Sequence, residues 1–361
     1  MTVYICTLLL VFVFGTLEYQ KRKRKRITYG IVECRDTRKL KNGYLFLIVA
    51  VFLFVGGFRF NVGTDFTAYA GSSYTETFAE IANRIIDLDE PIIFIITSIC
   101  RAIWDEGVFV IFVENAITVL LVMKGIRDNE TENYTLPLLL YVMYCGWTTS
   151  FNGVRQALAG ALIFAFSKPK GGKLWILKYI VLCFVAFLVH KSAIFMLPVL
   201  ILANRKIDFV QILIILGVCC TFPYLGEFAL DFMNASLDSE YAAHSVNIIR
   251  VLVALAPVLL GLLSSSEFKE DNRFLVNMAL LNALITLTTR NSALMYRFSD
   301  YTVMYLMLFI PKCSRLFTKQ SKGIYNLLVF VLFFVYFVFE IQTGNGNLSN
   351  FQWAFWHFGK Y

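Results

Sequence analysis

Apolar residues in this chain run in long blocks that short polar connections separate. Blocks of about 15–20 apolar residues recur throughout, close to the length that a bilayer-spanning helix needs. The predicted spans are residues 3–19, 44–58, 91–104, 107–123, 136–150, 152–167, 174–189, 192–203, 209–224, 248–263, 274–289, 298–311 and 324–341. This pattern predicts an all-α polytopic integral membrane protein, with about 11–13 hydrophobic helical segments in a single transmembrane domain over residues 1–361.

Composition agrees with the membrane class and argues against a soluble domain. Of the 361 residues, 58% are hydrophobic and 16% are charged, whereas a soluble domain carries about 25% charged residues. Ten of the 33 lysines and arginines lie between Lys21 and Lys41, six of them in the run KRKRKR. This run directly follows the first span, so we interpret it as a positive-inside anchor, with a site for anionic lipid or nucleic acid as the alternative.

Loop charge predicts how the spans are oriented, because connections rich in Lys and Arg stay in the cytoplasm. The predicted cytoplasmic connections are 20–43, Lys168–Lys173, Arg205–Lys206 and Lys312–Lys322, and the predicted extracytoplasmic loops are 59–90 and 225–247. Since the basic run follows the first span, we expect a retained anchor with the N-terminus outside.

One connection conflicts with this orientation. If every segment crosses once, residues 168–173 fall outside, against the charge rule. The conflict is removed if one short segment between 91 and 167 is re-entrant, or if the amphipathic stretch 74–89 dips into the membrane. Segment 91–104 is the first candidate for re-entrance because it is short and runs into Asp105 and Glu106.

With that repair, five ionisable groups fall on the outer side and predict a cationic site there. Charged groups in membrane segments are costly and usually functional. The five are Arg59, Arg155, His190, Arg290 and Arg297.

The first candidate motif, FRFNVGTDFTAY, leaves the second span. Gly63 lets the chain turn, so that backbone N–H groups could cradle an anion, and Arg59 adds a planar donor fork suited to phosphate. Asp65 could accept a proton from a hydroxyl or bind a sugar hydroxyl. The alternative is an ordinary loop in which Asp65 caps the following helix.

The second motif, FNGVRQALAGALIFAF, places Arg155 and Gln156 in the first turn of an apolar helix. Small residues follow, which permits close helix packing and favours a position inside the bundle. The alternative is that Arg155 snorkels to lipid headgroups.

The third motif, AFLVHKSAIFMLP, contains His190, either a catalytic base or a satisfied core histidine. We predict no metal site, since the other two histidines, His244 and His357, offer no ligand spacing.

In the fourth motif, TTRNSALMYRFSDY, Arg290 and Arg297 are seven residues apart. A continuous helix would place them on one face, about 10 Å apart, where they could grip a polyphosphate or a glycan-lipid headgroup. The alternative is a loop whose arginines contact lipid phosphates, with Asp300 as ion-pair partner. Glu114, inside an apolar run, is either a proton-coupling group or the partner of a neighbouring helix.

Taken in order, the segments Gly57–Tyr69, Arg155–Leu162 and Val189–Ala193 resemble the Wzy/EpsG family of polysaccharide polymerases, and Arg290–Tyr301 looks like the later arginine-containing segment. The resemblance implies a bundle similar to that of GT-C glycosyltransferases. It also implies a glycosyltransferase that joins repeat units carried on undecaprenyl diphosphate at the outer face of the bacterial plasma membrane. We expect no metal or other cofactor. Expected partners are the lipid-linked oligosaccharide, membrane lipids, a chain-length regulator and a flippase, and we expect no nucleic acid partner.

The resemblance also assigns roles as hypotheses. Arg155 and Arg290 would bind the donor diphosphate with help from Arg297, Arg59 would anchor the phosphates of the acceptor lipid, and Asp65 or His190 would be the general base. Further candidate substrate-binding residues are Gln156, Tyr301, Gly63 and Tyr69. The alternatives are an O-antigen-type ligase, a glycan O-acyltransferase, and a flippase or transporter for lipid-linked oligosaccharide. A transporter would need polar groups spread through the membrane depth, whereas the basic groups here cluster toward one face.

Overall fold

The structure, a computed structural model, describes residues 1–28, 43–71, 75–129, 133–144, 146–167, 174–221, 224, 246–343 and 345–359. Within these ranges the chain is helical nearly throughout, which confirms the all-α prediction. Three segments of described helices are long and apolar enough to cross a membrane by length and composition, namely Thr2–Arg24, Gly107–Asn129 and Lys319–Gln342. The predicted connections at residues 29–42, 168–173 and 225–245 lie outside the described residues.

The helices, numbered along the described chain, are α1 (Thr2–Thr28), α2 (Gly43–Gly57), α3 (Phe66–Ala70), α4 (Phe78–Ile86), α5 (Pro91–Ile103), α6 (Gly107–Asn129), α7 (Thr135–Met143), α8 (Gly146–Thr149), α9 (Val154–Phe166), α10 (Trp175–Phe187), α11 (Met196–Ala203), α12 (Phe209–Thr221), α13 (Ile248–Leu262), α14 (Ser266–Asp271), α15 (Arg273–Thr288), α16 (Ala293–Tyr296), α17 (Asp300–Cys313) and α18 (Lys319–Gln342). Two short strands are β1 (Arg59–Phe60) and β2 (Gln352–Trp353). The chain forms two compact units, the first comprising Met1–Ala165 with Leu328–Tyr361 and the second Phe166–Leu327.

Helix α1 continues past its predicted end at residue 19, so the predicted connection 20–43 begins too early. The helix runs through the basic run to Thr28, because Lys and Arg are good helix formers. Arg22 Nε also donates to Glu18 Oε1, one turn earlier, at 2.9 Å, and its guanidinium carbon lies 4.5 Å from the centre of the Tyr134 ring. The basic run therefore belongs to helix α1 and not to the connection that follows it.

The predicted span 136–150 is also interrupted. Helix α7 ends at Met143, the short helix α8 covers Gly146–Thr149, and α9 begins at Val154. Glycines at 146 and 153 mark the two breaks, since glycine is a weak helix former. The second break places the Phe151–Gly153 turn against the loop after α2, as described below.

Two glycines let the end of α2 pack closely against α6 in the first unit. A Cβ atom on Gly56 would overlap the Asn115 side chain, and one on Gly57 would overlap the Phe112 ring. Asn115 in turn donates from Nδ2 to the Phe52 carbonyl at 3.3 Å. Small residues at a helix interface permit such an approach, so the chain leaves α2 already in contact with α6.

Residues 345–359, which we call the strap, cover the loop that follows α2. Strand β2 of the strap pairs antiparallel with β1, with Arg59 opposite Trp353. The ring of His357 stacks on Phe60, with centroids 3.7 Å apart, and Ala354 is fully buried. Ala354 belongs to an apolar cluster with Phe60, Phe66, Tyr69, Ala70, Val108, Ile111 and Val154.

In the second unit, asparagines on α15 fix its neighbours by hydrogen bonds. Asn277 Nδ2 donates to the Ala203 carbonyl at the end of α11 at 3.1 Å, and Asn282 Nδ2 donates to Thr302 Oγ1 on α17 at 2.9 Å. Buried amides of this kind must be bonded, so they set the register of α11 and α17 against α15.

Candidate functional site

The loop between α2 and α3 turns at Gly63, as the sequence predicts. Gly63 has a φ of +99°, a conformation that residues with a Cβ rarely adopt, and a Cβ there would overlap the Phe151 carbonyl. The following residue, Thr64, donates from its backbone N–H to Asn152 Oδ1 at 2.6 Å. The first and second motifs are therefore joined at this turn.

Arg59 is placed inside this loop and not on its surface. Its side chain is buried, Nε donates to the Val62 carbonyl at 3.3 Å, and Nη1 donates to the Gly56 carbonyl. Burial lowers the pKa of Arg59 to about 10, and the charge of Glu114 acts in the opposite direction by raising it. The Arg59 guanidinium therefore stays charged at neutral pH. The prediction that Arg59 anchors acceptor phosphates does not fit this placement, because the side chain is buried and donates to one carbonyl at the end of α2 and one in the following loop.

Asp65 stands at the first position before α3 but does not cap it. Its side chain accepts no hydrogen bond from the helix and instead accepts from Thr64 Oγ1 at 3.0 Å. The capping alternative is therefore wrong. The half-buried carboxylate leaves the role of base or sugar ligand as a prediction.

Arg155 is held by two side chains at the start of α9. Its Nη1 donates to Glu90 Oε2 at 2.5 Å, and its Nε donates to the Tyr69 hydroxyl at 3.2 Å. The Arg155 side chain keeps 30% of its surface exposed, whereas that of Glu90 keeps 8%. The neighbouring Gln156 is buried. The structure thus brings together Tyr69 and Arg155, which the sequence predicted separately.

Glu90 is a candidate residue that the sequence did not single out. It has a φ of +53° and immediately precedes Pro91, the first residue of α5. A left-handed glutamate is uncommon and costs of the order of 1–3 kcal/mol, a strain often found at functional sites. The sequence feature that could have identified Glu90 is an acidic residue directly before a proline that begins an apolar segment.

Glu114 is a buried carboxylate within electrostatic reach of both arginines of the first unit. It lies on α6 with 1% of its surface exposed, and both Arg59 and Arg155 act on its charge. Neither carboxylate oxygen of Glu114 makes a hydrogen bond to a described residue, so the two arginines act on it through charge alone. The interpretations of Glu114 as a proton-coupling group and as the partner of a neighbouring helix both stay predictions.

In the second unit, the third and fourth motifs meet. Half-buried His190 immediately precedes the 3₁₀ turn Lys191–Phe195. Its carbonyl accepts from the Ala193 N–H at 2.9 Å. The hydroxyl groups of Ser192 and Tyr301 are 2.7 Å apart, and Tyr301 is 1% exposed. The Tyr301 hydroxyl therefore links the third and fourth motifs inside the second unit. Because the Tyr301 side chain is buried, the predicted contact between Tyr301 and substrate does not fit the structure.

Arg290 and Arg297 do not lie on a continuous helix, so their predicted shared face is wrong. Helix α15 ends at Thr288, and Arg297 begins a separate 3₁₀ turn. Thr289 follows the last residue of α15, and its N–H and hydroxyl both donate to the Ile285 carbonyl, at 2.9 and 2.6 Å. The two arginines are thus presented from different short segments.

Arg290 carries an unusual donor. Its Nε atom is buried, and no described residue accepts its hydrogen, although an unmet buried donor costs about 1–3 kcal/mol. The Arg290 carbonyl accepts from the Val246 N–H at 2.6 Å, which fixes the backbone at this point. A buried N–H group without an acceptor is expected in a site whose ligand, such as a phosphate, supplies the missing acceptor.

Arg250 is a second residue that the sequence did not single out. It lies in the first turn of α13, with its guanidinium carbon 5.4 Å from the centre of the Tyr296 ring. Both Arg250 and Arg297 act on the charge of Asp300, which agrees with Asp300 as an ionic partner of Arg297. The sequence feature that could have identified Arg250 is the one that marked Arg155, namely an arginine in the first turn of an apolar helix.

The described residues contain no group of three or more His, Cys, Asp or Glu that could hold a metal ion. A family model for the EpsG family matches residues 43–354. No curated protein and no solved structure matches the chain.

Proposed function

Because the chain belongs to the EpsG family, we propose that it is a polysaccharide repeat-unit polymerase. The reaction would move the growing glycan from undecaprenyl diphosphate to the non-reducing end of a new lipid-linked repeat unit, at the outer face of the bacterial plasma membrane. The bond between the anomeric carbon and the diphosphate oxygen breaks. A bond from that carbon to an acceptor hydroxyl oxygen forms, and the hydroxyl proton passes to a base.

The placement of Arg155 is the observation that carries the proposal. A departing diphosphate gathers negative charge, and preorganised cationic donors stabilise such charge best. Glu90 and Tyr69 fix the guanidinium from two sides while 30% of the Arg155 side chain stays exposed. The group is therefore oriented before substrate arrives and still open to an anionic ligand.

The second unit offers its own phosphate-binding groups. The buried Nε of Arg290, which no described residue satisfies, is suited to a phosphate oxygen. Arg297 and Arg250 both act on the charge of Asp300, which places two guanidinium groups near one carboxylate among the described residues. We assign Arg290 to the donor diphosphate and Arg297 to an assisting role.

Asp65 and His190 are the two candidates for the base that takes the acceptor proton. Both are half-buried. If His190 is the base, His190→Asn should slow polymer formation strongly, because the amide cannot take the proton of the acceptor hydroxyl. A His190→Asn variant with a near-normal rate would eliminate that role and leave Asp65, to be tested by Asp65→Asn.

The test is an assay of purified protein with undecaprenyl-diphosphate repeat units from its own host, run with a chelator and resolved by gel and mass spectrometry. We expect a ladder of repeat-unit multiples. Arg155→Ala and Arg290→Ala should each reduce its rate by roughly a hundredfold or more, the usual effect of removing one donor to developing charge.

Arg273→Ala is the matched control, because Arg273 is 41% exposed and its 3.5 Å ion pair with Glu270 is also exposed. It should leave the ladder unchanged. Absence of any ladder, with transfer of the intact lipid-linked unit across proteoliposomes, would show a transporter. Transfer of glycan to a different acceptor would show a ligase.

A further inference from the structure

An apolar cavity lies in the second unit beside the third and fourth motifs. It has a volume of about 140 Å³, and its lining includes Phe195, Val199, Val218, Leu281, Ile285 and Phe298. An engineered apolar cavity of about 150 Å³ binds benzene. The space therefore suits a small hydrocarbon group and offers little to a polar one.

The cavity adjoins the arginines of the same unit through its lining residues. Phe298 directly follows Arg297, and Ile285 lies in the last turn of α15, just before Arg290. The rings of Phe195 and Phe298 pack edge to face with centroids 5.4 Å apart, so the cavity wall joins the segment after His190 to the segment after Arg297. Apolar lining residues and the candidate anion-binding arginines are thus close together along the chain.

We infer that this cavity holds the first isoprenoid unit of a prenyl diphosphate whose phosphates are bound by Arg290 and Arg297. The inference rests on the proposed function and adds the site of the lipid chain to it. Two observations point to an amphiphilic anion. The Nε of Arg290 is buried without an acceptor among the described residues, and the adjoining cavity wall is almost wholly apolar.

A branched isoprenoid fits this arrangement for a physical reason. Burial of each CH₂ group contributes favourably to binding, so a ligand that fills the cavity binds more tightly than its phosphates alone. The phosphates need a short link to that hydrocarbon, because the arginines adjoin the lining residues in sequence. A prenyl diphosphate has both features, with the hydrocarbon joined directly to the phosphate oxygen.

The test compares geranyl diphosphate with inorganic diphosphate on the purified full chain, using protection against thermal unfolding to measure affinity. We expect geranyl diphosphate to bind at least tenfold more tightly than inorganic diphosphate. Val218→Phe and, separately, Val199→Phe should fill the cavity and abolish that difference while leaving the affinity for inorganic diphosphate unchanged. Two variants are used so that a folding defect in one of them does not decide the outcome.

Val210→Phe is the matched control, since Val210 lies on the same helix as Val218, is 57% exposed and is absent from the cavity lining. It should keep the full preference for geranyl diphosphate. Equal affinity for the two compounds in the unchanged protein would overturn the inference. So would a preference that survives both cavity-filling substitutions.

A further arm uses short-chain phosphatidic acid, which carries a phosphate on acyl chains. If it binds as tightly as geranyl diphosphate and loses binding in the same two variants, the cavity takes phospholipid and the isoprenoid assignment is wrong.

Binding is measured without turnover, so these outcomes are independent of the polymerisation assay. A ladder with no geranyl preference would refute only the cavity assignment, and a geranyl preference without a ladder would refute only the polymerase.

Discussion

Arg155 interacts with two buried carboxylates in different ways. Glu90 is hydrogen-bonded to its guanidinium at 2.5 Å, whereas Glu114 acts on it through charge from inside α6. Arg59 acts on Glu114 as well, so two arginines and two glutamates lie within electrostatic reach of one another, with Arg155 partly exposed. Because Glu90 is in direct contact with Arg155 and Glu114 is not, the two glutamates should respond differently to substitution.

Glu90→Gln should reduce polymer formation about tenfold or more with only a modest loss of stability, because Arg155, the charge left without its partner, is 30% exposed. A hydrogen bond to a charged group contributes roughly 1.5–3 kcal/mol, and about 1.4 kcal/mol corresponds to tenfold. The amide keeps the shape of the carboxylate but loses its charge, so Arg155 is oriented less firmly. Initial rates and thermal unfolding, measured on the same preparation, separate the two effects.

Asp105→Asn serves as the control for Glu90→Gln. Asp105 pairs with Arg101 at 3.0 Å, but its side chain is 83% exposed, and exposed pairs contribute little. Its rate should stay close to that of the unchanged protein. A Glu90→Gln protein with full activity would show that Glu90 does not position Arg155.

Glu114→Gln should mainly lower stability. It removes a buried carboxylate whose charge acts on buried Arg59 from beyond ion-pair distance, so the Arg59 guanidinium stays buried with less electrostatic compensation. The measurement is the thermal midpoint of the purified protein, compared with that of Glu267→Gln, an exposed position at the start of α14. Equal midpoints for the two variants would show that Glu114 does not balance Arg59.

At the scale of elements, the loop after α2 depends on its backbone as much as on its side chains. The strap pairs with it through β1 and β2, and the turn before α9 contacts it at Gly63. Glycine was readable from the sequence as a turn residue. Its close contact with the Phe151 carbonyl was not, because that contact depends on a segment distant in the chain.

Gly63→Ala should impair both folding of this loop and activity. The new Cβ would require a left-handed backbone, at a cost of about 1–2 kcal/mol, and would also overlap the Phe151 carbonyl. Gly359→Ala separates the two causes, since Gly359 has a φ of +78° but no heavy atom within 4 Å of a Cβ. Thermal unfolding and polymer yield should both fall further for Gly63→Ala, and equal losses would show that the overlap has no effect.

The hydrophobic pattern predicted the spans well where one long apolar run forms one helix, as in α6 and α18. It also placed the end of α15 within one residue. It did not show how the following segment folds, in which Arg297 begins a separate 3₁₀ turn and is no longer on one helix with Arg290. Spacing along an assumed helix cannot reveal such a separate turn.

For the whole molecule, the sequence located the ordered motifs but not their contacts. Arg155 was predictable as a charge at the start of an apolar helix, yet its partner Glu90 lies 65 residues earlier. The pairing needs α5 to begin beside α9, and no local pattern encodes that placement. The position of α5 also bears on the predicted topology of the chain.

Helix α5 should enter and leave the membrane on one side. It has 13 residues, or about 20 Å of helix, which is shorter than the roughly 30 Å hydrocarbon core. Its start contacts Arg155 through Glu90, and near its end Arg101 donates to the Ala70 carbonyl. Val154, at the start of α9, and Ala70 share one apolar cluster, so both ends of α5 lie near the same end of the first unit.

Cysteine labelling with a membrane-impermeant maleimide tests this topology in intact cells, with labelled positions identified by mass spectrometry because Cys6 and Cys220 are also exposed. Cysteines introduced by Asp87→Cys and Asp105→Cys, at exposed positions that flank α5, should be labelled from the same side. Arg127→Cys, exposed near the far end of the 23-residue helix α6, should be labelled only after permeabilisation. Labelling of positions 87 and 105 from opposite sides would mean that α5 crosses the membrane, and the outward orientation predicted for Arg155 would then lose its basis in the loop charges.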